Sequence, residues 1–169
     1  MSRLGTIDGR QFAHERGVVS GMADIADFPR LARMGCEVAA LRYTVCGVRG
    51  ADERLGLAVE LSGQLQLICQ RCLGPVDLPL AVSNELELAE SLEEIEAADD
   101  DTDRVLASRS MDVAVLVEDE AILALPMVAA HDRCETWIAR GAGAQQSPFG
   151  GLAALREAAP GAKIPNGDR

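Results

Sequence analysis

The sequence contains few of the residues from which enzyme active sites are usually built. It has two histidines, His14 and His131, and it lacks both a glycine-rich phosphate-binding loop and a G-x-S-x-G nucleophile motif. A dyad of His131 with Cys72 or Cys134 can be drawn, but no third group that would orient the histidine is evident. The sequence therefore favours a non-catalytic protein over an enzyme.

Long apolar runs are also missing. The longest candidate, residues 122–130, is interrupted by Pro126 and is shorter than the ~20 residues that cross a bilayer. The N-terminal residues MSRLGTIDGRQF contain neither an apolar run nor a small-residue cleavage site. We therefore expect a soluble cytoplasmic protein whose five cysteines are reduced.

Lysine and aromatic residues are scarce. Lys163 is the only lysine among sixteen basic residues, and aromatic residues make up 3% of the chain. The single Trp137 and Tyr43 do not form the stacking platform that binders of single-stranded nucleic acid use. If the chain binds RNA, we expect recognition of shape and phosphate rather than base readout.

The net charge of −11 is distributed unevenly along the chain. Residues 1–80 carry nine arginines and nine carboxylates, whereas residues 81–135 carry three arginines and sixteen carboxylates. Because phosphate neutralisation supplies most non-specific affinity for nucleic acid, the acidic segment is a poor RNA-binding surface. An arginine-containing surface from the first part of the chain could serve if the acidic segment lies away from it.

Hydrophobic periodicity predicts an α+β domain. Apolar residues alternate along residues 55–69 and again along residues 76–88, which is typical of strands with one buried face. We predict a curved antiparallel sheet at about residues 36–88, with a bulge or bend at Gly63 and with Pro79 on an edge or irregular strand. A helix at about residues 112–125 packs on this sheet, and short helices flank it, with Asp8 and Pro29 near their starts.

Residues 89–110 lose this periodicity and gain charge, so we predict an acidic mobile loop there. The domain is expected to span residues 1–159, and residues 160–169 are expected to form a disordered tail. In the predicted helix, Glu118, Asp119 and Glu120 cover about 200° of the helix circumference. One of these carboxylates should therefore border the core and need a partner, and a structural role is favoured over a role in a site.

The spacing of Cys69 and Cys72 on the connection between two predicted strands has three interpretations. A redox pair is disfavoured, because a strand rather than a helix follows the cysteines. A zinc site would need His131 and Cys134 as further ligands, and the pairs are separated by far more residues than in a zinc finger. The third interpretation, in which Cys69 is a core residue and the others are incidental, is equally well supported by the sequence.

Four motifs, in this order, resemble the YceD family of large ribosomal RNA subunit accumulation proteins. They are ICQRCLGPV, a variable acidic segment, MDVAVLVEDEAILALPMVAAHDRC and SPFGGLAALR, and the resemblance covers residues 55–156. Residues matching the family motifs are Cys69, Gln70, Arg71, Cys72, Glu118, Asp119, Glu120, Leu125, Pro126, Pro148 and Phe149. Ser147 stands where relatives usually have Asn, and the interval from His131 to Cys134 is shorter than in some of them.

The resemblance implies a bacterial cytoplasmic factor in ribosome assembly rather than an enzyme. Its partner would be large-subunit ribosomal RNA, a precursor of it or a large-subunit ribosomal protein, with neither a membrane nor DNA involved. Gln70 and Arg71 lie between the cysteines at a predicted hairpin tip, and we expect them to contact RNA or a protein partner; a salt bridge from Arg71 to the acidic segment is the alternative. The alternative function is a zinc-stabilised protein-interaction module that does not act on RNA.

Overall fold

The computed structural model describes residues 4–50 and 53–134. Residues up to Asp132 belong to one compact unit; of the second unit, which begins at Arg133, only the first two residues are described. The predicted extension of the domain to residue 159 and the predicted disordered tail at residues 160–169 lie outside the described residues and stay predictions.

Strands dominate the described chain. They are β1 (Thr6–Ile7), β2 (Val18–Ala23), β3 (Glu37–Arg49), β4 (Leu55–Ile68), β5 (Pro75–Ala89), β6 (Arg104–Leu106) and β7 (Met111–Asp112). The α-helices are α1 (Gly9–His14), α2 (Pro29–Arg33), α3 (Leu92–Glu96) and α4 (Val113–Leu123). None of the helices in the described ranges is long and apolar enough to cross a membrane.

Five strands form one open sheet in the order β2-β3-β4-β5-β6, and β1 pairs separately with β7. All pairs in the large sheet are antiparallel except β5 with β6. The predicted α+β class, with its antiparallel sheet, packed helix and short flanking helices, is confirmed. The predicted range of 36–88 was too narrow, because it left out β2 and β6.

Physical reasons account for both omissions. Strand β2 has the sequence VVSGMA, in which no charged residue marks the exposed face, so its period of two is hard to read. Strand β6 has three residues and lies inside the acidic segment. Neither strand has enough residues of contrasting polarity to be recognised without its neighbours.

The irregularity expected at Gly63 lies in the neighbouring strand β3, since β4 keeps a continuous register with β5 through Gly63. The register of β3 against β4 shifts between Val38 and Leu41, and Leu41 is the residue opposite Gly63. A Cβ atom on Gly63 would lie 2.6 Å from Leu41 Cδ2 and 2.7 Å from the carbonyl oxygen of Ala40. The irregularity is therefore on β3, and the missing side chain of Gly63 makes room for it.

Pro79 lies on the outer edge of β5, as predicted for a residue without a backbone donor. Cys69 N donates a hydrogen bond of 2.8 Å to Gly74 O. Together with the register of the two strands, this bond determines which residues of β5 direct their backbone N–H and C=O groups toward β4. Because hydrogen bonding alternates along an antiparallel pair, the nitrogen of Pro79 points away from β4. Strand β6 pairs only with residues 87–89 of β5, so Pro79 costs no hydrogen bond in the described sheet.

The core lies between one face of the sheet and the helices. Its largest fully buried side chains include Phe28 and Leu31 from the N-terminal region, Leu41, Leu57 and Leu65 from the strands, and Val113 and Val117 from α4. Helix α1 packs against β3 at Gly47, where a Cβ atom would collide with the carbonyl oxygen of Phe12 and lie 2.7 Å from Ala13 Cα. Helix α4 begins after Asp112, whose carboxylate accepts a hydrogen bond from Ala114 N at 2.9 Å.

The segment 89–110, predicted as an acidic loop, contains α3 and β6. Arg104 organises it: the guanidinium donates to both carboxylate oxygens of Asp100 at 2.6 and 2.8 Å and lies 3.7 Å from Glu87. The hydrogen bonds from Arg104 hold the pKa of Asp100 well below its usual range. Ion pairing therefore orders part of a segment in which hydrophobic periodicity gives no signal; its mobility stays a prediction.

Candidate functional site

The Cys69-Gln70-Arg71-Cys72 segment forms the tip of the β4–β5 hairpin. Cys69 N donates to Gly74 O, and Leu73 N donates to Cys69 O at 2.9 Å, so the chain folds back tightly between the two strands. Leu73 takes up the left-handed conformation, with φ of 59°, that this reversal requires. The Cys69 side chain is fully buried at the end of the apolar strand face, whereas Cys72 is half-buried.

The chain after α4 runs back to this hairpin tip. Gln70 N donates a hydrogen bond of 2.8 Å to the carbonyl oxygen of Ala129, which brings His131 beside the cysteines. Cys72 Sγ lies 3.4 Å from His131 Nδ1. Cys134 follows His131 by three residues, and the ligand atoms of all four residues lie within 4.8 Å of one another.

These distances suit a tetrahedral metal ion. With zinc–sulfur bonds of about 2.3 Å and zinc–nitrogen bonds of about 2.0 Å, neighbouring ligand atoms in a tetrahedral site are roughly 3.5–3.8 Å apart. The contact between Cys72 and His131 already has nearly this length, and small rotations of the other side chains would close the rest. Three thiols and one imidazole are a donor set typical of structural zinc sites.

The geometry does not favour the redox interpretation of the Cys69–Cys72 pair. A reactive thiol is usually held at a helix N-terminus, and the residues after Cys72 form a turn and then β5. The two cysteines predicted to be ordinary strand residues lie in another part of the fold. Cys36 is buried just before β3, and burial raises the pKa of its thiol, whereas Cys46 lies within β3.

Gln70 and Arg71 are exposed at the hairpin tip between the two cysteines. Gln70 Nε2 donates to the carbonyl oxygen of Ile68 at 3.2 Å, and Arg71 Nη1 makes a long contact of 3.4 Å with the carbonyl oxygen of His131. The salt bridge considered as an alternative for Arg71 is not found among the ion pairs of residues 4–50 and 53–134. Arg71 is thus an exposed cation next to the ligand cluster, with the His131 carbonyl oxygen as a hydrogen-bond partner.

The carboxylates of α4 have structural partners. Glu118 is 2% exposed, and its carboxylate accepts hydrogen bonds from Arg30 N at 2.5 Å, Leu31 N at 3.0 Å and Arg30 Nε at 2.8 Å. Asp119 pairs with the same guanidinium at 2.5 Å. Burial acts to raise the pKa of Glu118, but the hydrogen bonds from Arg30 and Leu31 outweigh it and hold the pKa below its usual value.

Glu120 is buried on the side of α4 that faces β5. Its carboxylate accepts a hydrogen bond of 3.1 Å from Asn84 Nδ2, which also donates to Asp103 at 2.9 Å. The expectation that one carboxylate of α4 borders the core and has a partner is confirmed, and it holds for both Glu118 and Glu120. Pro126 lies just after the end of α4, while Pro148 and Phe149 lie outside the described residues.

Sequence reasoning did not find Arg30 or Asn84 as partners of these carboxylates. The sequence does contain one indication that α2 needs a partner. Helix α2 begins at Pro29, and the side chain of the preceding Phe28 has no hydrogen-bond acceptor with which to cap the helix. A helix start of this kind leaves backbone donors that need an acceptor from elsewhere in the chain. The carboxylate of Glu118 supplies it from 88 residues away.

A family model described as "Large ribosomal RNA subunit accumulation protein YceD" matches residues 57–156, more than half of the chain. The chain belongs to the YceD family. The match includes all four residues of the ligand cluster and the motif carboxylates of α4. No significant match was found among curated proteins or among solved structures.

Proposed function

We propose that this YceD-family chain is a non-catalytic, cytoplasmic ribosome-biogenesis factor that supports the synthesis, processing or accumulation of large-subunit ribosomal RNA. The observation that carries the proposal is the family match over residues 57–156, whose description names the accumulation of large-subunit ribosomal RNA. The partner would be the RNA, a precursor of it or a large-subunit ribosomal protein. The structural partners of Glu118 and Glu120 support the same view, because they account for the most buried carboxylates without a catalytic role.

The proposed metal is one structural zinc ion held by Cys69, Cys72, His131 and Cys134. The mutual distances of the four ligand atoms and the donor chemistry support it. Bound zinc would fix the hairpin tip against the segment after α4, because two ligands come from each. Its role would be to hold the exposed residues Gln70 and Arg71 in a defined position rather than to activate water.

The proposed contact with the partner is made by Gln70 and Arg71. An exposed guanidinium suits phosphate oxygens, to which it donates two parallel hydrogen bonds. The face of the sheet that is turned away from the core is a poorer candidate. On that face, Arg42 on β3 lies near the carboxylates Glu60 on β4 and Glu85 on β5. The hairpin tip presents a cation without a carboxylate partner among the described ion pairs, which favours the tip over that face.

The experiment that tests the function is complementation of cells that lack the gene for this chain. Loss of the gene should lower large-subunit ribosomal RNA relative to small-subunit RNA, and the wild-type chain should restore the ratio. Arg71→Gln should restore it poorly, whereas Arg42→Gln, which removes an exposed arginine elsewhere, should restore it fully. An unchanged RNA ratio in cells without the gene would refute the proposed function.

The second candidate function is a zinc-stabilised protein-interaction module that does not act on RNA. The ligand cluster and the acidic residues 81–135 favour it, because neither requires a nucleic-acid partner. The same complementation separates the two functions. An interaction module would give a phenotype that depends on the ligand residues while the ratio of ribosomal RNAs stays normal.

A further inference from the structure

The outer edge of β2 is an open hydrogen-bonding edge. Strand β2 pairs with β3 on one side, and in the part of the chain that the structure describes no strand pairs with its other side. Gly47 N donates to Gly17 O at 2.8 Å, and the register opposes Val18 to Cys46. Because hydrogen bonding alternates along an antiparallel pair, the N–H and C=O groups of Val18, Ser20 and Met22 point outward.

This edge lacks the devices that usually prevent strands from pairing with other chains. Proteins protect exposed edges with charged residues, proline, bulges or very short strands. The outer edge of β5 has Pro75, Asp77 and Pro79. Strand β2 has six residues, none of them charged and none of them proline, and Val18 and Met22 are 66% and 58% exposed.

We infer that the outer edge of β2 binds the same edge of a second copy of this chain. In an antiparallel pair centred on Ser20, Ser20 faces Ser20 of the second copy and Val18 faces Met22. The three outward residues of each copy would then form about six inter-chain hydrogen bonds. Two apolar cross-strand pairs, each of Val18 with Met22, would cover the most exposed side chains of the strand.

The charges flanking β2 favour a second copy over an unrelated peptide. Arg16 precedes the strand and Asp24 follows it, and both are exposed. Arg16 lies in the turn between α1 and β2, with φ of 51°, and directly precedes Gly17, which is hydrogen-bonded to Gly47. The pairing centred on Ser20 therefore brings Arg16 of each copy to the end of the strand pair at which Asp24 of the other copy lies, so opposite charges are close at both ends. Asp24 caps the short 3-10 turn Ile25–Asp27 through Oδ1, 2.8 Å from Ala26 N, and neither Arg16 nor Asp24 takes part in an ion pair of the described residues.

The net charge of −11 does not prevent this association at physiological salt. In the sheet, strands β3, β4 and β5 lie between β2 and β6, and the acidic residues around β6 are therefore at the opposite side of the sheet. Four inter-strand steps of about 4.8 Å give a separation of roughly 19 Å. This is more than two Debye lengths of about 8 Å, so most of the repulsion between acidic segments is screened.

Sedimentation equilibrium of the full chain over a concentration series, at a physiological ionic strength of about 0.15 M, tests the inference. The wild-type chain should fit a monomer–dimer equilibrium. Ser20→Pro removes one outward N–H from each copy without affecting the pairing of β2 with β3, and should weaken the dimer by about tenfold. Ser20→Ala keeps the N–H and should leave the dissociation constant within about twofold of the wild-type value.

A charge-exchange experiment tests the register. Arg16→Asp and Asp24→Arg each place like charges at both ends, so each variant alone should dimerise about tenfold more weakly. An equimolar mixture of the two variants should regain wild-type affinity, because opposite charges meet again at both ends. A wild-type chain that stays monomeric throughout the series, or a Ser20→Pro variant with wild-type affinity, would overturn the inference independently of any role in ribosome assembly.

Discussion

At the scale of single residues, the ligand cluster depends on what the surrounding backbone does with four side chains. Cys69 is oriented by its position at the end of a buried strand face, and His131 is oriented by the hydrogen bond from Gln70 N to Ala129 O two residues earlier. The sequence supplies residues of the right type, the turn after β4 brings Cys69 and Cys72 together, and the hydrogen bond from Gln70 N to Ala129 O brings His131 beside them. Removing one ligand should therefore affect the metal and the local fold together.

The first prediction concerns Cys72. The wild-type chain, purified without chelator, should contain about one zinc ion per chain, and Cys72→Ser should contain much less. Loss of bound zinc should lower the free energy of unfolding by about 4 kcal/mol when free zinc exceeds its dissociation constant about a thousandfold. Elemental analysis and denaturant unfolding measure the two quantities.

Cys46→Ser is the matched control, because Cys46 lies within β3 and is not one of the clustered ligands. This variant should bind as much zinc as the wild-type chain. Addition of chelator should lower its free energy of unfolding by as much as it lowers that of the wild-type chain. A wild-type chain that is fully folded, free of metal and insensitive to added zinc would show that the four residues form a packing cluster.

At the scale of elements, the carboxylates of α4 link this helix to helix α2 and to strand β5. Glu118 caps α2 and pairs with Arg30, while Glu120 is hydrogen-bonded to Asn84 on β5. The hydrogen bonds from Glu118 replace the side-chain cap that Phe28 cannot provide. The position of α2 against α4 thus depends on one buried carboxylate.

The second prediction concerns Glu118. Glu118→Gln should lower the free energy of unfolding at pH 7 by about 1–3 kcal/mol, because the amide cannot accept all the hydrogen bonds that the carboxylate accepts. Asp119→Asn is the control, since Asp119 is half exposed and its ion pair should contribute less than about 1 kcal/mol. Denaturant unfolding of the three chains gives the comparison.

The pH dependence of the same variants has a definite sign. The folded-state pKa of Glu118 is lower than its unfolded value of about 4.5, so its contribution is fully present above that value and is lost as the pH falls through the folded-state pKa. The stability difference between the wild-type chain and Glu118→Gln should therefore shrink below about pH 4.5. A difference that stays constant from pH 7 to pH 3 would contradict the proposed role of the charge.

At the scale of the whole molecule, the sequence predicts what depends on local pattern and misses what depends on distant partners. The alternation in residues 55–69 and 76–88 identifies β4 and β5, and Pro79 identifies an edge. Arg30 could not be identified as the partner of Glu118, because 88 residues separate them and hydrophobic periodicity contains no information on that contact. Strand β2 was missed because its exposed and half-buried positions are all uncharged.

The candidate site was predictable to a similar extent. The four ligands were selected by residue type, since His131 and Cys134 are the only closely spaced pair of histidine or cysteine residues elsewhere in the sequence. Spacing alone did not distinguish a metal site from buried cysteines. The contact between Gln70 N and Ala129 O, which brings the two pairs together, involves backbone atoms of residues that have no chemical signature in the sequence.

The measurement that tests the central claim most directly is the migration of this protein in a density gradient of cell lysate, before and after nuclease treatment. Ribosomal RNA is probed in the same fractions, with Arg71→Gln and Arg42→Gln run in parallel. The account predicts co-migration with large-subunit precursors that nuclease abolishes, that Arg71→Gln weakens and that Arg42→Gln preserves. Migration at the position of the free protein, unchanged by nuclease, would contradict it.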